Sequence, residues 1–220
     1  MTNPEPLLNV ERTVFFSDAV IAIAMTLLAI DLPLPEGKTD GQVWRSFAHS
    51  LGGAYLAFAI SFVVIALFWY RHHRLFQRIV EINTRLVVWN LVALFAIVLV
   101  PFATKLLAAP PAAPPGAQFS LGPVIYASMI LLWGAAQVMM VVTATRGRLW
   151  RPGTPSGVPG NMIFATCTAL AMFAVSIPVA FVSPAAAEYC WLLIPVVGAA
   201  TRRLRGRVRS VLRPNDHAPR

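Results

Sequence analysis

The sequence predicts an all-α, polytopic membrane protein with six transmembrane helices per chain. The chain has 220 residues, of which 57% are hydrophobic and 12% charged, and its mean hydropathy is +0.67. These values are too apolar for a soluble domain of this length. Six runs of about 20 residues each, the length that crosses a bilayer, account for most of the chain. We therefore predict one six-helix transmembrane channel domain over residues 1–201, followed by a basic cytoplasmic tail over residues 202–220.

Each predicted span is an apolar run that ends at residues typical of loops. The six runs lie at about Arg12 to Leu32, Ser50 to Tyr70, Arg85 to Ala108, Phe119 to Thr145, Asn161 to Val182 and Ala185 to Ala200. Prolines and glycines follow the first, third and fourth runs, at 33–35, 110–115 and 152–160. The sixth run is short and contains Pro195, so its bounds are the least defined by sequence.

The lysines and arginines predict the orientation of these spans. Fifteen of the 18 fall in alternate segments: Arg12; Arg71, Arg74, Arg78 and Arg85; Arg146, Arg148 and Arg151; and seven arginines from Arg202 to Arg220. Such a bias marks the cytoplasmic side. We therefore expect a bacterial inner-membrane protein with both termini in the cytoplasm. The arginine-rich tail directly follows a span, which is typical of contact with anionic lipid, so we predict membrane lipid and no nucleic acid as a partner.

Few side chains inside the apolar runs could carry chemistry. Asp18 is the only carboxylate clearly within a predicted helix, whereas a proton-coupled pump usually needs a relay of several. His72 and His73 are adjacent, so they point to different faces of a helix, and neither CxxC nor HExxH occurs. We predict no enzyme activity, no metal site, no cofactor and no small-molecule substrate. A proton- or cation-coupled secondary transporter that uses Asp18 stays an alternative.

The first predicted helix has two distinct stripes. One consists of Phe16, Val20, Ile23, Leu27 and Ile30 with Thr26 at its edge, and the other of Asp18, Ala22, Met25 and Ala29. Because alanines allow close approach, we expect the second stripe to pack against neighbouring helices that satisfy the carboxylate. By composition alone, the aliphatic stripe favours contact with lipid.

Arg12, three residues, and then Phe16-Ser17-Asp18 form an R-x-x-x-F-S-D signature, which is followed by the apolar run 19–28. This segment resembles the first helix of the transmembrane protein 175 family, whose prokaryotic members are relatives of the endosomal and lysosomal potassium channel. Two further stretches resemble the family's second and third helices: Phe68-Trp69, His72-His73 and Leu75-Phe76, and then Asn90-Leu91, Pro101-Phe102 and Thr104. The resemblance covers residues 11–104.

The resemblance implies a passive potassium-permeable channel, either selective or weakly selective, with potassium as the permeant ion. It implies a homotetramer in which the first helix of each chain lines a central pore, with rings of Ile23, Leu27 and Ile30 as constrictions and the Thr26 hydroxyl near the narrowest point. The sequence contains no TVGYG filter. A non-conducting membrane scaffold, in which the aliphatic stripe is an oligomer interface, stays a second alternative.

For Arg12, Phe16, Ser17 and Asp18 the resemblance implies a structural role. It predicts a hydrogen-bonded cluster near the cytoplasmic end of the pore helix, in which these residues reach Trp69, His72 or His73, and Asn90 on the second and third helices.

Overall fold

The computed structural model describes residues 9–30, 32–108 and 120–193, without the side chains of residues 49–52 and 192. Its regular elements are helices: α1 (Val10–Ile30), α2 (Asp40–Ser50), α3 (Leu56–Phe76), α4 (Thr84–Ala108), α5 (Leu121–Arg146), α6 (Gly157–Val182) and α7 (Pro184–Leu192). A π-helical turn, Leu51–Tyr55, joins α2 to α3. The predicted all-α class is therefore confirmed.

Five of these helices are long and apolar enough to cross a membrane: α1, α3 with the residues from Gly53 onward, α4, α5 and α6. They correspond to the first five predicted runs. Helix α7 begins at Pro184, where the sixth run was expected, and Ser183 caps it by accepting a hydrogen bond from the Ala186 N–H at 3.3 Å. The rest of that run, 194–200, and the predicted tail, 202–220, lie outside the described residues.

Helix α2 is an element that the sequence analysis did not predict. It lies in the connection between the first two spans and carries polar side chains that hold this connection together. Ser46 Oγ accepts a hydrogen bond from the Glu36 N–H at 3.0 Å, and Gln42 Oε1 accepts one from the Lys38 N–H at 2.8 Å. The Tyr55 hydroxyl donates to the Pro33 carbonyl at 2.7 Å, which ties the start of the second span to the end of the first.

Helices α4 and α5 form the centre of the bundle. Small residues on both helices are fully buried, among them Ala93, Ala96, Ala103, Ala127 and Ala136, which lets the two backbones approach closely. Gly122 makes this approach closest, since a Cβ atom there would lie 2.8 Å from the Leu106 carbonyl oxygen. Helices α1 and α3 pack on the α4 side of this centre, and α6 and α7 on the α5 side.

Two arginine-rich loops meet at one end of the bundle. The Arg151 N–H donates to the Arg78 carbonyl at 2.7 Å, and the Val80 N–H donates to the Leu149 carbonyl at 3.0 Å. Ile79 and Trp150 thereby form an isolated antiparallel bridge. The loop after α3 and the loop after α5 therefore lie at the same end, as their shared positive charge predicted.

Candidate pore helix and its polar anchor

Helix α1 buries one stripe and exposes another. The buried stripe consists of Ser17, Ile21, Ala24 and Leu28, whose exposures are 0 to 4%. On the exposed stripe, Ile23 is 58% accessible, Leu27 40% and Ile30 74%, and Thr26 is also exposed. All four residues expected to line a pore thus lie on a face that no other part of the described chain covers.

The expected packing face of α1 is confirmed only in part within the chain: Trp69 on α3 satisfies the Asp18 carboxylate and Met25 contacts the core, but the two alanines do not pack. Ala22 and Ala29 are exposed, and Asp18 and Met25 are only half-buried. The stripe that does pack runs through Ser17 instead, because Ser17 pairs with a buried amide on α4 and the aliphatic residues of the following turns share its face. The small size of the two alanines did not decide which face was buried.

A chain of hydrogen bonds runs through three helices at the buried face of α1. The Asn90 amide donates to Ser17 Oγ at 2.9 Å, so the amide oxygen is left to face His72 Nε2, 2.7 Å away. In this arrangement Nε2 carries the proton and donates. The Ser17 hydroxyl in turn donates to the Thr13 carbonyl at 2.7 Å. His72, Asn90 and Ser17 are each no more than 1% exposed, so this series of hydrogen bonds is shielded from solvent and lipid.

Asp18 makes a separate link between α1 and α3. Its Oδ1 accepts a hydrogen bond from Trp69 Nε1 at 2.9 Å. The Trp69 ring stacks on His73 at a centroid distance of 5.3 Å, and His73 Nε2 lies 2.8 Å from Gln77 Nε2. The two adjacent histidines therefore have different neighbours, as the sequence predicted: His72 is buried against α4, and His73 is half-buried beside Trp69 and Gln77.

Two members of the predicted cluster do not join it within the described chain. Phe16 is 54% exposed, and Arg12 is exposed and forms no ion pair with Asp18 in the described ranges. The reason is helical geometry, because residues six apart differ by about 9 Å along the axis and face different directions. Both residues instead share the exposed side of α1 with Ile23.

A second polar cluster lies between α3, α4 and α5, toward the other end of the bundle. The Thr104 hydroxyl is 2.7 Å from Ser61 Oγ, and Ser61 donates to the Tyr126 hydroxyl at 3.2 Å. Ser61 and Tyr126 are fully buried. The sequence analysis did not single out these two residues. The available signal was that each is an isolated polar group inside an apolar run, where a buried hydroxyl needs a partner.

The Thr26 hydroxyl is already engaged with its own helix. It donates to the Ile23 carbonyl at 2.8 Å. Its oxygen lone pairs are not used by this bond, so on the exposed face of α1 the side chain presents an acceptor, the type of group that a cation needs. Among the described residues, no group of three or more His, Cys, Asp or Glu side chains could hold a metal ion.

These features define a multi-pass α-helical membrane protein in which one helix, fixed from behind by buried hydrogen bonds, exposes an aliphatic stripe. Residues 12–101 match the profile of the family described as the endosomal/lysosomal potassium channel TMEM175. Through this segment, which extends from α1 into α4, the chain is similar to the TMEM175 family. The family is one of channels and not a class of enzyme.

Similar proteins come from bacteria and animals. The chain is 37% identical over 100 residues to a potassium channel of Streptomyces collinus, in a match that covers 44% of this chain and 47% of that protein. It is 26% identical over 139 residues to the endosomal/lysosomal proton channel TMEM175 of Mus musculus, covering 63% of this chain and 27% of the mouse protein. The matches thus span less than half the length of these relatives.

The fold has a counterpart among solved structures. The crystal structure of a lysosomal potassium-selective channel TMEM175 homolog from Chamaesiphon minutus superposes with a TM-score of 0.71 and 25% identity. The superposition covers 87% of this chain and 97% of that one, so the likeness extends well beyond residues 12–101 into the later helices, for which the sequence carried no specific motif.

Proposed function

We propose that this protein is a passive, potassium-permeable cation channel whose pore is lined by α1 of each subunit in a homotetramer. The observation that carries the proposal is the exposed stripe of Ile23, Thr26, Leu27 and Ile30, which lies within the segment that matches a family of potassium channels. We place the channel in a bacterial inner membrane, with the arginine-rich loops and both termini in the cytoplasm.

The chemistry of the stripe suits a barrier that selects by dehydration. A ring of aliphatic side chains offers no ligands to replace water, so an ion that passes it keeps or sheds its hydration shell at its own cost. Potassium holds that shell less tightly than sodium, which favours potassium. The acceptor lone pairs of Thr26, one turn from Ile23, would offset part of the cost through four hydroxyl oxygens.

The hydrogen bonds of Ser17 and Asp18 to α4 and α3 can hold α1 in a fixed orientation. A helix turns by about 100° per residue, so a rotation of α1 by about that angle would replace the aliphatic stripe in the pore by Ala22 or Ala29. Asn90 and Trp69 hold Ser17 and Asp18 from two different helices, and these two contacts together resist rotation. We infer that the R-x-x-x-F-S-D segment sets the direction in which Ile23 points.

The contacts of Asp18 disfavour a coupled transporter. The carboxylate accepts the Trp69 hydrogen bond, and α3, α4, α5 and α6 contain no Asp or Glu with which it could form a relay. Such relays of ionisable groups are the usual mark of proton-coupled transport. Asp18 therefore fits a structural role better than an ion-carrying one.

The test is ion flux in liposomes that contain the purified oligomer, with potassium, sodium and proton gradients compared. We expect passive potassium flux that exceeds sodium flux and does not depend on a pH gradient. Replacing Ile23 by Asn should raise sodium flux relative to potassium several-fold, because a polar ring supplies ligands to both ions.

Val98→Asn is the matched control, since Val98 is a 47% exposed aliphatic residue on α4 rather than α1. It should leave the potassium-to-sodium ratio unchanged. Flux that requires a proton gradient and disappears in an intact Asp18→Asn oligomer would favour the coupled transporter. An intact oligomer without flux under any gradient would favour the scaffold.

A further inference from the structure

We propose that a cavity between α3, α5, α6 and α7 binds an acyl chain of an anionic phospholipid from the inner leaflet. The cavity has a volume of about 380 Å³, which lies within the usual range for ligand sites. Its walls are almost entirely apolar and include Val63, Leu67, Ile130, Trp133, Leu170 and Phe173. No residue of α1 lines it, so this site is separate from the proposed pore.

The length of the cavity matches one leaflet of a bilayer. Along α3 it extends from Ala59 to Arg71, twelve steps along the helix, which at 1.5 Å per residue is about 18 Å. Half of the hydrocarbon core of a bilayer is about 15 Å thick. The cavity therefore reaches from the membrane surface to about the midplane, which is the depth of a single lipid tail.

The cavity is open at its side, on the outer face of the described chain. Val63 and Leu67, on the α3 wall, are 56% and 53% exposed, whereas Phe173 and Trp191 at the back are 4% and 5% exposed. An aliphatic tail could therefore enter laterally from the bilayer and cover the aromatic residues behind it. Such a tail would remain in apolar surroundings throughout, and it would fill space that otherwise lacks packing partners.

The charge in the cavity lies at the end that a headgroup would occupy. Arg71 is the single charged side chain among the described residues of its lining; it is half-buried, and its Nη1 lies 3.5 Å from the buried Thr166 hydroxyl. A guanidinium has five donors, so it can bind a phosphate as well as a hydroxyl. Arg71 belongs to the end of the bundle where the two arginine-rich loops meet, which the proposed orientation places at the cytoplasmic surface.

The experiment uses the full chain in liposomes that contain a small fraction of lipid spin-labelled near the end of one tail. The label is carried either by phosphatidylglycerol, which is anionic, or by phosphatidylcholine, which is zwitterionic, and electron paramagnetic resonance measures the immobilised fraction of each. The wild type should immobilise phosphatidylglycerol several-fold more strongly than phosphatidylcholine. Arg71→Gln should remove most of this preference.

Arg74→Gln is the matched control. Arg74 lies in the last turn of the same helix, is exposed, and sits over the Tyr70 ring at 5.6 Å, outside the cavity. This variant loses the same charge as Arg71→Gln and should keep the preference for phosphatidylglycerol over phosphatidylcholine. Ala169→Phe tests the tail site independently, because Ala169 lines the cavity and a larger side chain there fills it. It should lower the immobilised fraction of both lipids.

Two results would overturn the proposal. An equal preference in Arg71→Gln and Arg74→Gln would show that the headgroup is not held at Arg71. Unchanged lipid immobilisation in Ala169→Phe would show that the cavity is not an acyl-chain site, whether or not the oligomer is lost. If the oligomer is lost in that case, the cavity would be assigned to contact with a second copy of the chain.

Discussion

Trp69 Nε1 donates a hydrogen bond of 2.9 Å to Asp18 Oδ1, and this contact joins α3 to the helix that we propose lines the pore. It differs from the neighbouring Asn90–Ser17 contact in its environment. Trp69 is 40% exposed and Asp18 half-buried, whereas Ser17 and Asn90 are sealed in the core. The two contacts should therefore respond differently to substitution.

Asp18→Ala is expected to destabilise the folded oligomer. Hydrogen bonds to charged groups contribute about 1.5–3 kcal/mol, and partial exposure of this pair places it at the lower end. Asp18→Asn keeps an acceptor oxygen and should therefore lower the stability of the oligomer less than Asp18→Ala does. Thermal unfolding followed by size-exclusion chromatography would rank the variants, with Trp69→Phe as the partner substitution. If the effects of Asp18→Ala and Trp69→Phe are simply additive in the double variant, the contact does not stabilise the fold.

Asn90→Ala is expected to be more damaging than Asp18→Ala. It leaves the His72 Nε2–H without an acceptor and Ser17 without its donor in a region that excludes water, and each buried unsatisfied group costs about 1–3 kcal/mol. The concentration of denaturing detergent at the midpoint of unfolding would measure this loss of stability.

Ser128→Ala serves as the control for Asn90→Ala. Among the described residues, the Ser128 hydroxyl bonds to the Val124 carbonyl of its own helix, at 2.7 Å, and to no other helix, so its removal should change the free energy of unfolding little. If Asn90→Ala unfolded at the same detergent concentration as Ser128→Ala, the hydrogen-bond chain would have no role in stability.

The sequence was sufficient to predict the features that depend on composition and charge. Five spans follow from apolar length, and the shared end of the two arginine-rich loops follows from their positive charge. Helix α2 was not predicted, because its eleven residues mix polar and apolar side chains and hold their position through contacts with the preceding loop. The segment does have helical periodicity, but it is much shorter than a membrane span, which was the length the prediction relied on.

The sequence also could not predict which face of α1 packs against the other helices of the chain. Both stripes of that helix are largely apolar, so hydrophobic periodicity could not distinguish a face buried in protein from one that faces lipid or a pore. The buried face is the one that carries Ser17, because Ser17 pairs with Asn90, which is 73 residues away in the sequence. The resemblance to the TMEM175 family implied one cluster that contains both residues, whereas of the Ser61–Thr104–Tyr126 cluster it included only Thr104.

Two glycines of α5 provide a prediction about helix packing. A Cβ atom at Gly122 would lie 2.8 Å from the Leu106 carbonyl oxygen, which is backbone and cannot move without shifting α4. A Cβ atom at Gly134 would overlap the Leu170 side chain, which is flexible and lines the adjoining cavity, so it can turn toward that space. Gly122→Ala should therefore destabilise by about 1–3 kcal/mol, and Gly134→Ala by less.

Unfolding of the two glycine variants in parallel would test this order. The combination of Gly134→Ala with Leu170→Ala offers a further check, since removal of the obstructing side chain should recover part of any loss. Greater damage from Gly134→Ala than from Gly122→Ala would mean that α6 cannot yield beside α5 and that the α4–α5 contact is looser than its geometry indicates.

Thr26→Val is the substitution that separates the roles of size and polarity in the proposed pore. Valine has nearly the same shape, and within the described part of the chain the lost hydroxyl bonds only to the Ile23 carbonyl of the same helix, so the oligomer should remain intact. The four acceptor oxygens disappear from a site next to the aliphatic rings. We therefore expect potassium flux in liposomes to fall several-fold while the protein elutes as the wild type does.

Thr26→Ser is the control for this effect, because it keeps the oxygen and removes a methyl group. It should retain most of the potassium flux and, through its smaller side chain, pass sodium more readily than the wild type. Equal flux through the valine, serine and wild-type proteins would show that no ion approaches Thr26. The exposed stripe of α1 would then face lipid or another subunit, and the ion path would have to be sought on a different helix.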